Sequence, residues 1–437
     1  MPSVDLLANK RPLRVGISGA GPGGLGAALF LHQINDIVGS QDGGNEVEIQ
    51  LFDQARELKE VGAGIHLNFN TFSMLNRLGN ARQTIDKIGH SGTTLQKSRL
   101  QHINGKTLEL VDEKDWSALP KDHRAIRTER TTLQKALVQE LPADIPVQLR
   151  KRLVKYVDTS EGAITLFFED GTTTEVDLLI GADGLRSAVR TQAFPSHQLT
   201  FSGQVGFRTL VPVSLVEHIL PDLPDATIFY HGDESTIFTT HVGNGKFELS
   251  LRARAVEYGG VSWGQDVKKS EFLKYFKEYH PSLQRLLEAA PEEGWKAFAM
   301  YGGPRLEEII SGGNVALVGD SSHPLSGAFG AGAGFALEDS FILQKALLHA
   351  RSTSQPLSYA LELYQDTRNR HYKRLYEQLQ RSVNAAKERA ELHLEFEEAL
   401  RRKVDAGFGD QKWIYGFDAE ASWQETLDAE AARQAAH

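Results

Sequence analysis

A chain of 437 residues is long enough for two packed units, or for one large α/β unit with an insertion. Its 48 basic and 57 acidic side chains give a net charge of −9, which argues against a sequence-independent grip on nucleic acid, and its lack of cysteine excludes disulfides, thiolate catalysis and thiolate-bound metals. No apolar run approaches the ~20 residues of a membrane span, and residues 1–12 lack the apolar core of a signal peptide, so a cytoplasmic monomer or homodimer without a metal is expected.

In chain order, residues 13–18 alternate and are β-branched, the pattern of a buried first strand. Glycines follow at once, and Leu25 opens a helix whose small residues suit close packing on a sheet. Residues 36–45 read as a polar loop, and 46–52 as a second strand that ends at Asp53. A helix is predicted over 130–140. Strands are predicted over 149–157, 163–169 and 172–176, with a turn at Asp170-Gly171. Residues 203–263, rich in Phe, Thr and Val, predict a mostly antiparallel sheet. Residues 314–318 predict another buried strand, and from Ala336 to about residue 400 the apolar spacing is helical. The tail carries Trp413, Tyr415, Phe417 and Trp423, so it is expected to pack onto the body.

Three separated glycine-rich segments carry the functional reading. The first, Gly19-Ala20-Gly21-Pro22-Gly23-Gly24, has the strand–turn–helix context of a dinucleotide grip. Gly19 permits the tight turn, Gly21 keeps side chains away from a pyrophosphate, and Gly24 lets the helix sit close to the strand. The helix start then offers unpaired N–H groups and a favourable dipole to phosphate. Asp53 stands where a carboxylate accepts hydrogen bonds from a ribose. It follows Gly24 by 29 residues against the usual ~20, and the polar loop takes up the excess. On this motif alone, a nicotinamide dinucleotide and FAD both fit.

The other two segments separate those possibilities. They are Asp177-Leu178-Leu179-Ile180-Gly181-Ala182-Asp183-Gly184, and Gly319-Asp320-Ser321-Ser322-His323-Pro324 followed by Gly330-Ala331-Gly332. They resemble the DG and GD motifs of the class A flavoprotein monooxygenases, the single-component aromatic hydroxylases. Stretches 61–65, 130–133 and 336–339 also resemble that family, and the run 323–330 is most similar to its fungal salicylate-hydroxylase-type members. The resemblance implies an α/β fold of the p-hydroxybenzoate hydroxylase type: a dinucleotide-binding, Rossmann-like FAD domain, an inserted antiparallel β-sheet substrate domain, and C-terminal helices. Segments 1–75, 106–195 and 301–350 then form the FAD-binding domain, 76–105 and 196–300 the substrate domain, and 351–437 the C-terminal helical region.

The residues agree with that resemblance. Asp320 ends a strand in a carboxylate that suits a ribityl hydroxyl, and Pro324 shapes the loop toward the flavin ring. Gly330 and Gly332, at the next helix start, aim N–H groups at a flavin edge that becomes anionic on reduction. Asp183 serves FAD and the reduced nicotinamide, as the family uses it, or else caps the helix that follows. Gly64, Arg56 and Arg130 complete the expected cofactor set, Arg130 because the family has an arginine at this helix start.

The reaction implied is hydroxylation of a small phenolic or hydroxybenzoate-like acid, with FAD as cofactor, NADH or NADPH as hydride donor, and O2 carried as a flavin C4a-hydroperoxide. Such a substrate reacts best as a phenolate, and a carboxylate on it wants a cationic partner. Candidates are His66, which follows the 61–65 stretch; Arg208, at a position family members use near substrate or flavin; and Tyr230 and His241, on the same expected sheet. Each has a plainer alternative: a bonded structural imidazole for His66, an ion pair on a strand for Arg208. His323 reads as structural. Two other functions stay open. One is epoxidation or oxidative dearomatisation of a larger metabolite, for which Thr239-Thr240-His241-Val242 lacks the tyrosine that some fungal relatives carry. The other is a flavin-bound protein without turnover.

Overall fold

In the computed structural model, strand Leu178–Gly181 is buried at every position, as a parallel strand covered on both faces must be. The structure describes residues 11–39, 46–58, 64–89, 99–120, 123–159, 162–220, 226–260, 264–325, 327–409 and 412–436. Most of the expected polar loop, residues 61–63 and Trp263 lie outside them.

Leu178–Gly181 sits third in a six-stranded sheet ordered Ile310–Ser311, Val315–Leu317, Leu178–Gly181, Leu13–Ser18, Val47–Phe52, Val147–Gln148. All neighbours are parallel except the first pair. The first helix begins at Pro22, ahead of the expected Leu25, because proline at the first turn forfeits no helical hydrogen bond. This helix, Pro22–Val38, packs along Gly332–Ser352. Glycine permits the approach: a Cβ on Gly26 would stand 2.6 Å from Leu337, and one on Gly23 3.3 Å from Ala336.

The second layer is an eight-stranded sheet ordered Gln265–Val267, Trp295–Gly302, Thr200–Pro212, Lys246–Arg254, Ser235–Gly243, Thr227–His231, Arg99–Asn104, Leu110–Asp115. It is antiparallel except where Thr227–His231 lies beside Arg99–Asn104. The strands expected within 203–263 are its middle. The expected boundary between 105 and 106 falls inside the hairpin of Arg99–Asn104 and Leu110–Asp115, so the latter strand joins this sheet and not the FAD-binding layer. Conversely, helix Ala81–Gly89, expected with the substrate domain, buries Ala81 and Ile85 in the core of the parallel sheet.

Each layer has its own core. Ile17, Leu51, Leu179 and Leu337 belong to one; Phe207, Leu249, Phe272 and Trp295 belong to the other. Residues paired across strands share a face, and the register decides which. Phe207, Leu249, Leu251 and Ile237 lie in the second core, on the face covered by helices Val213–Ile219 and Pro281–Ala289. Arg208, Glu248, Ser250 and Phe238 alternate with them on the opposite face, beside the two-stranded ribbon of Gly64–Leu67 and Ile126–Glu129.

The C-terminal helices break where the backbone requires it, before Leu357 at Pro356 and after Leu392 at His393, whose φ is +47°. As the aromatic content predicts, Ile414 and Trp423 are buried, and Trp413, Tyr415 and Phe417 pack on the parallel-sheet core. No helix among the described residues is long and apolar enough to cross a membrane.

Candidate active site

Gly19 takes a φ of +107° and donates its N–H to the Phe52 carbonyl at 2.7 Å. A Cβ there would stand 2.3 Å from the Ala182 carbonyl oxygen, and one on Gly24 would stand 1.8 Å from the Gly19 carbonyl oxygen. A Cβ on Gly21 would meet nothing within 4 Å, so there is open space beside the start of the 17-residue helix Pro22–Val38, whose first turn has N–H groups without intrahelical partners. Asp53 braces this turn: Oδ2 accepts from Ala20 N at 2.7 Å and Oδ1 from Ala55 N at 2.7 Å. Each oxygen keeps a further lone pair for a ribose hydroxyl. Arg56 is exposed just beyond. Half-buried Arg130 starts the helix Arg130–Gln139, which reaches the turn through Gln134 Nε2, a donor to the Ala20 carbonyl at 3.4 Å.

The second and third glycine segments form one assembly. Their strands, Leu178–Gly181 and Val315–Leu317, are parallel neighbours, and Ser321 Oγ donates to the Gly181 carbonyl. Arg190, only 3% exposed, stitches them together: Nη1 donates to the carbonyls of Asp320 at 3.2 Å and Ser321 at 3.0 Å, and Nη2 to Leu185 at 2.5 Å. The Asp183 carboxylate turns to its own backbone, Oδ2 accepting from Ala188 N at 2.7 Å and Val189 N at 3.2 Å. Burial pushes this carboxyl above its usual range. The helix-capping alternative therefore describes what its side chain touches.

Behind the third segment, Asp339 accepts from Gly319 N at 2.7 Å, His323 Nε2 at 3.0 Å, Arg368 Nε at 2.6 Å and the Tyr372 hydroxyl. Burial opposes the charge on Asp339, yet Arg368 and His323 hold the carboxyl down at about 2. Its neighbour Glu338 goes the other way: burial, only partly offset by Arg368 and Asn70, lifts it to about 7. Pro324 is buried. Beyond it the loop turns left-handed at Gly327, Phe329 and Gly330, with φ of +72°, +63° and +61°, before helix Gly332–Ser352 begins. A Cβ on Gly332 would stand 3.6 Å from Asp320 Oδ1, so the motif carboxylate and the helix start share one spot.

His66 borders the same loop. A Cβ on Gly330 would stand 3.8 Å from His66 Cβ, and the imidazole stacks on Tyr415 with centroids 6.4 Å apart. Burial, reinforced by the charge of Arg127, pulls the imidazole down to about 3, so it is neutral at physiological pH. On the same strand, a Cβ on Gly64 would stand 2.2 Å from Glu248 Oε2. Any larger residue here would have to displace the Glu248 carboxylate. Glu248 is fully buried, and its Oε2 accepts from Arg127 Nε at 3.0 Å and Nη2 at 2.5 Å. Burial works against that charge, but Arg127, Arg208 and the Gly64 backbone hold the carboxyl below its usual range. Half-buried Arg208 lies over the Phe298 ring at 5.6 Å, and burial lowers its guanidinium to about 10. Arg208 Nε and Glu248 Oε1 have no hydrogen-bond partner among the described residues.

A sequence profile of the FAD-binding domain family matches residues 13–378. The chain belongs to that family. Over 363 residues this FAD-binding protein is 26% identical to a 6-hydroxynicotinate 3-monooxygenase of Bordetella bronchiseptica, covering 81% of this chain and 87% of the relative. Over 376 residues it is 27% identical to a 6-methylsalicylate 1-monooxygenase of Aspergillus terreus, covering 82% and 79% respectively. A solved salicylate hydroxylase substrate complex shares the fold, with a TM-score of 0.73 and 22% identity over 96% of this chain and 98% of the other. The described residues fit FAD: Gly21 and the helix N–H groups suit a pyrophosphate, Asp53 a ribose, and Asp320 with Gly332 the flavin end.

Two expected catalytic residues face away from this site. Tyr230 pairs with Ile237 and His241 with Phe247, which puts both on the helix-covered face, opposite Arg208. Tyr230 is 4% exposed, and burial raises its phenol to about 12; His241 meets the Phe247 ring edge-on at 5.0 Å. Sharing a sheet was not enough, because alternate positions along a strand point to opposite sides. Arg127, Glu248 and Arg190 were not singled out from the sequence, and Tyr415 was named there only as a packing residue of the tail. The available signal was a charge inside an apolar strand: Glu248 between Phe247 and Leu249, and Arg127 after Ile126.

Proposed function

We propose that this chain is an FAD-dependent, NAD(P)H-consuming monooxygenase that hydroxylates a small phenolic acid of the salicylate or hydroxybenzoate type. The observation that carries this reading is the Arg127–Glu248–Arg208 cluster on the sheet face, beside the strand of His66, in a chain of the FAD-binding family. Relatives whose names specify hydroxylated aromatic acids support it.

Bound FAD supplies the redox chemistry with O2, which no side chain of this protein can supply. Gly19, Gly21, Gly24, Asp53, Arg56 and Arg130 serve its adenosine and pyrophosphate end, and Asp320, Pro324, Gly330 and Gly332 its ring. The protein's other task is to orient and activate the phenol. One of the two arginine charges is balanced by Glu248, which leaves the cluster cationic and Arg208 with a free donor. Arg208 takes the substrate carboxylate or phenolate. An imidazole held at about 3 is too weak a base to strip a phenol unaided. His66 therefore accepts a hydrogen bond from the substrate while the cation at Arg208 favours the phenolate. Asp183 shapes the turn after Gly181 through Oδ2, and its Oδ1, without a partner among the described residues, is left for the cofactor or the nicotinamide.

The test is a panel of hydroxybenzoates with FAD and NADH or NADPH. Salicylate-like acids are expected to stimulate pyridine-nucleotide oxidation and to gain an oxygen atom. Stimulation only by large uncharged phenols, or by nothing, overturns the reading.

A further inference from the structure

Among the described residues of the loop between Pro324 and Gly332, Phe329 stands in a conformation it does not favour. Phe329 has φ +63° and ψ −11°, left-handed for a side chain with a Cβ, a conformation that persists only when the surroundings hold it. The holding contact comes from the C-terminal region. Tyr415, 86 residues further on, donates its hydroxyl to the Phe329 carbonyl at 2.9 Å and stacks its ring on His66. Its own helix, Lys412–Tyr415, is anchored by fully buried Ile414 and by Trp413, which lies under the Arg374 guanidinium at 4.1 Å. A firmly seated residue thus grips a strained turn on one side and the candidate His66 on the other. The next residues along that turn are Gly330, against His66, and Gly332, beside Asp320.

We infer that Tyr415 is a positioning residue of the FAD site, acting through the Phe329 carbonyl and the His66 ring to fix the loop that carries Gly330 and the helix start at Gly332. The inference rests on the proposed reading in that it places the flavin ring beside this loop. A tyrosine that merely docked the tail would do so by ring packing, which phenylalanine preserves. A tyrosine that sets the loop needs its hydroxyl.

The experiment is Tyr415→Phe in the full chain. FAD is titrated into apoprotein while quenching of its fluorescence is followed, and the visible spectrum of the bound flavin is recorded. The FAD Kd is expected to rise roughly fivefold, the loss of one hydrogen bond, and the visible band to shift. The melting temperature of the apoprotein is expected to move by no more than about 2 °C. Phe329→Gly accepts the left-handed turn unaided, so in that background Tyr415→Phe is expected to leave the FAD Kd within about twofold. An unchanged Kd and spectrum in Tyr415→Phe, or an equal loss in both backgrounds, overturns the inference while the wild type still binds FAD. A wild type that binds no FAD overturns the cofactor reading, and this inference with it.

Discussion

Asp339 and Glu248 are both buried carboxylates beside an arginine, one behind the third glycine segment and the other on the sheet face. Asp339 accepts from Gly319, His323, Arg368 and Tyr372. Glu248 accepts from Arg127 and the Gly64 backbone, while its Oε1 and the nearby Arg208 Nε find no partner among the described residues. An unpaired buried polar group costs about 1–3 kcal/mol. The first carboxylate has all its bonds filled and holds a loop in place, although Arg368 Nη1 and His323 Nδ1 beside it lack partners among the described residues; the second keeps an unfilled oxygen, which on the proposed reading lies where a substrate binds.

The strongest challenge to this contrast is Asp339→Ala. It leaves Arg368 with Glu338 as its carboxylate partner and removes the acceptor for Gly319, so unfolding in urea is expected to show a loss of about 3–5 kcal/mol. A loss below about 1 kcal/mol would mean that this carboxylate is not scaffold. Next comes Arg208→Ala, expected to lower kcat/KM for a carboxylated substrate about 100-fold while moving Tm by less than about 2 °C. Lysine should restore little of this, since it lacks the forked donor geometry. An equal fall with an uncharged phenol would remove the anion-binding role. The smallest effect sharpens the scaffold side. Glu338 is lifted from 4.5 to about 7 in the folded chain, so the folded state binds the proton more tightly than the unfolded one. Wild type therefore gains stability as pH falls from about 7 to 4.5, and Glu338→Gln lacks that gain. Urea midpoints of the two proteins should converge or cross in wild type's favour over this window; a constant gap would place the titration elsewhere.

What the sequence made legible was the chemistry that depends on local backbone. Gly19 and Gly24 stand where a Cβ would strike backbone at the strand–turn–helix junction, and their spacing announces that turn. The closeness of Asp320 and Gly332 was legible for the same reason, since a strand end and a helix start are both local. The tail aromatics were legible as packing residues, because so many rings seek cover. Side-chain direction across the large sheet was not. Tyr230 and His241 were grouped with Arg208 by strand, and the register separates them by face. Arg127 and Glu248 lie 121 residues apart, and nothing short of the apposition of two layers brings them together. Asp183 showed both of its readings in the sequence, and only the positions of Ala188 N and Val189 N reveal where its oxygen goes.

The order in which the parallel sheet is threaded has a consequence for biosynthesis. Its neighbouring strands come from residues 13–18, 178–181 and 315–317, and Arg190 joins the latter two segments only through the carbonyls of Asp320 and Ser321. A ribosome delivers these pieces in sequence, the earliest long before the last. The nascent polypeptide therefore cannot bring the three glycine segments together until the residues through Ser321 have emerged, so cofactor capture comes late and after the large sheet has been synthesised.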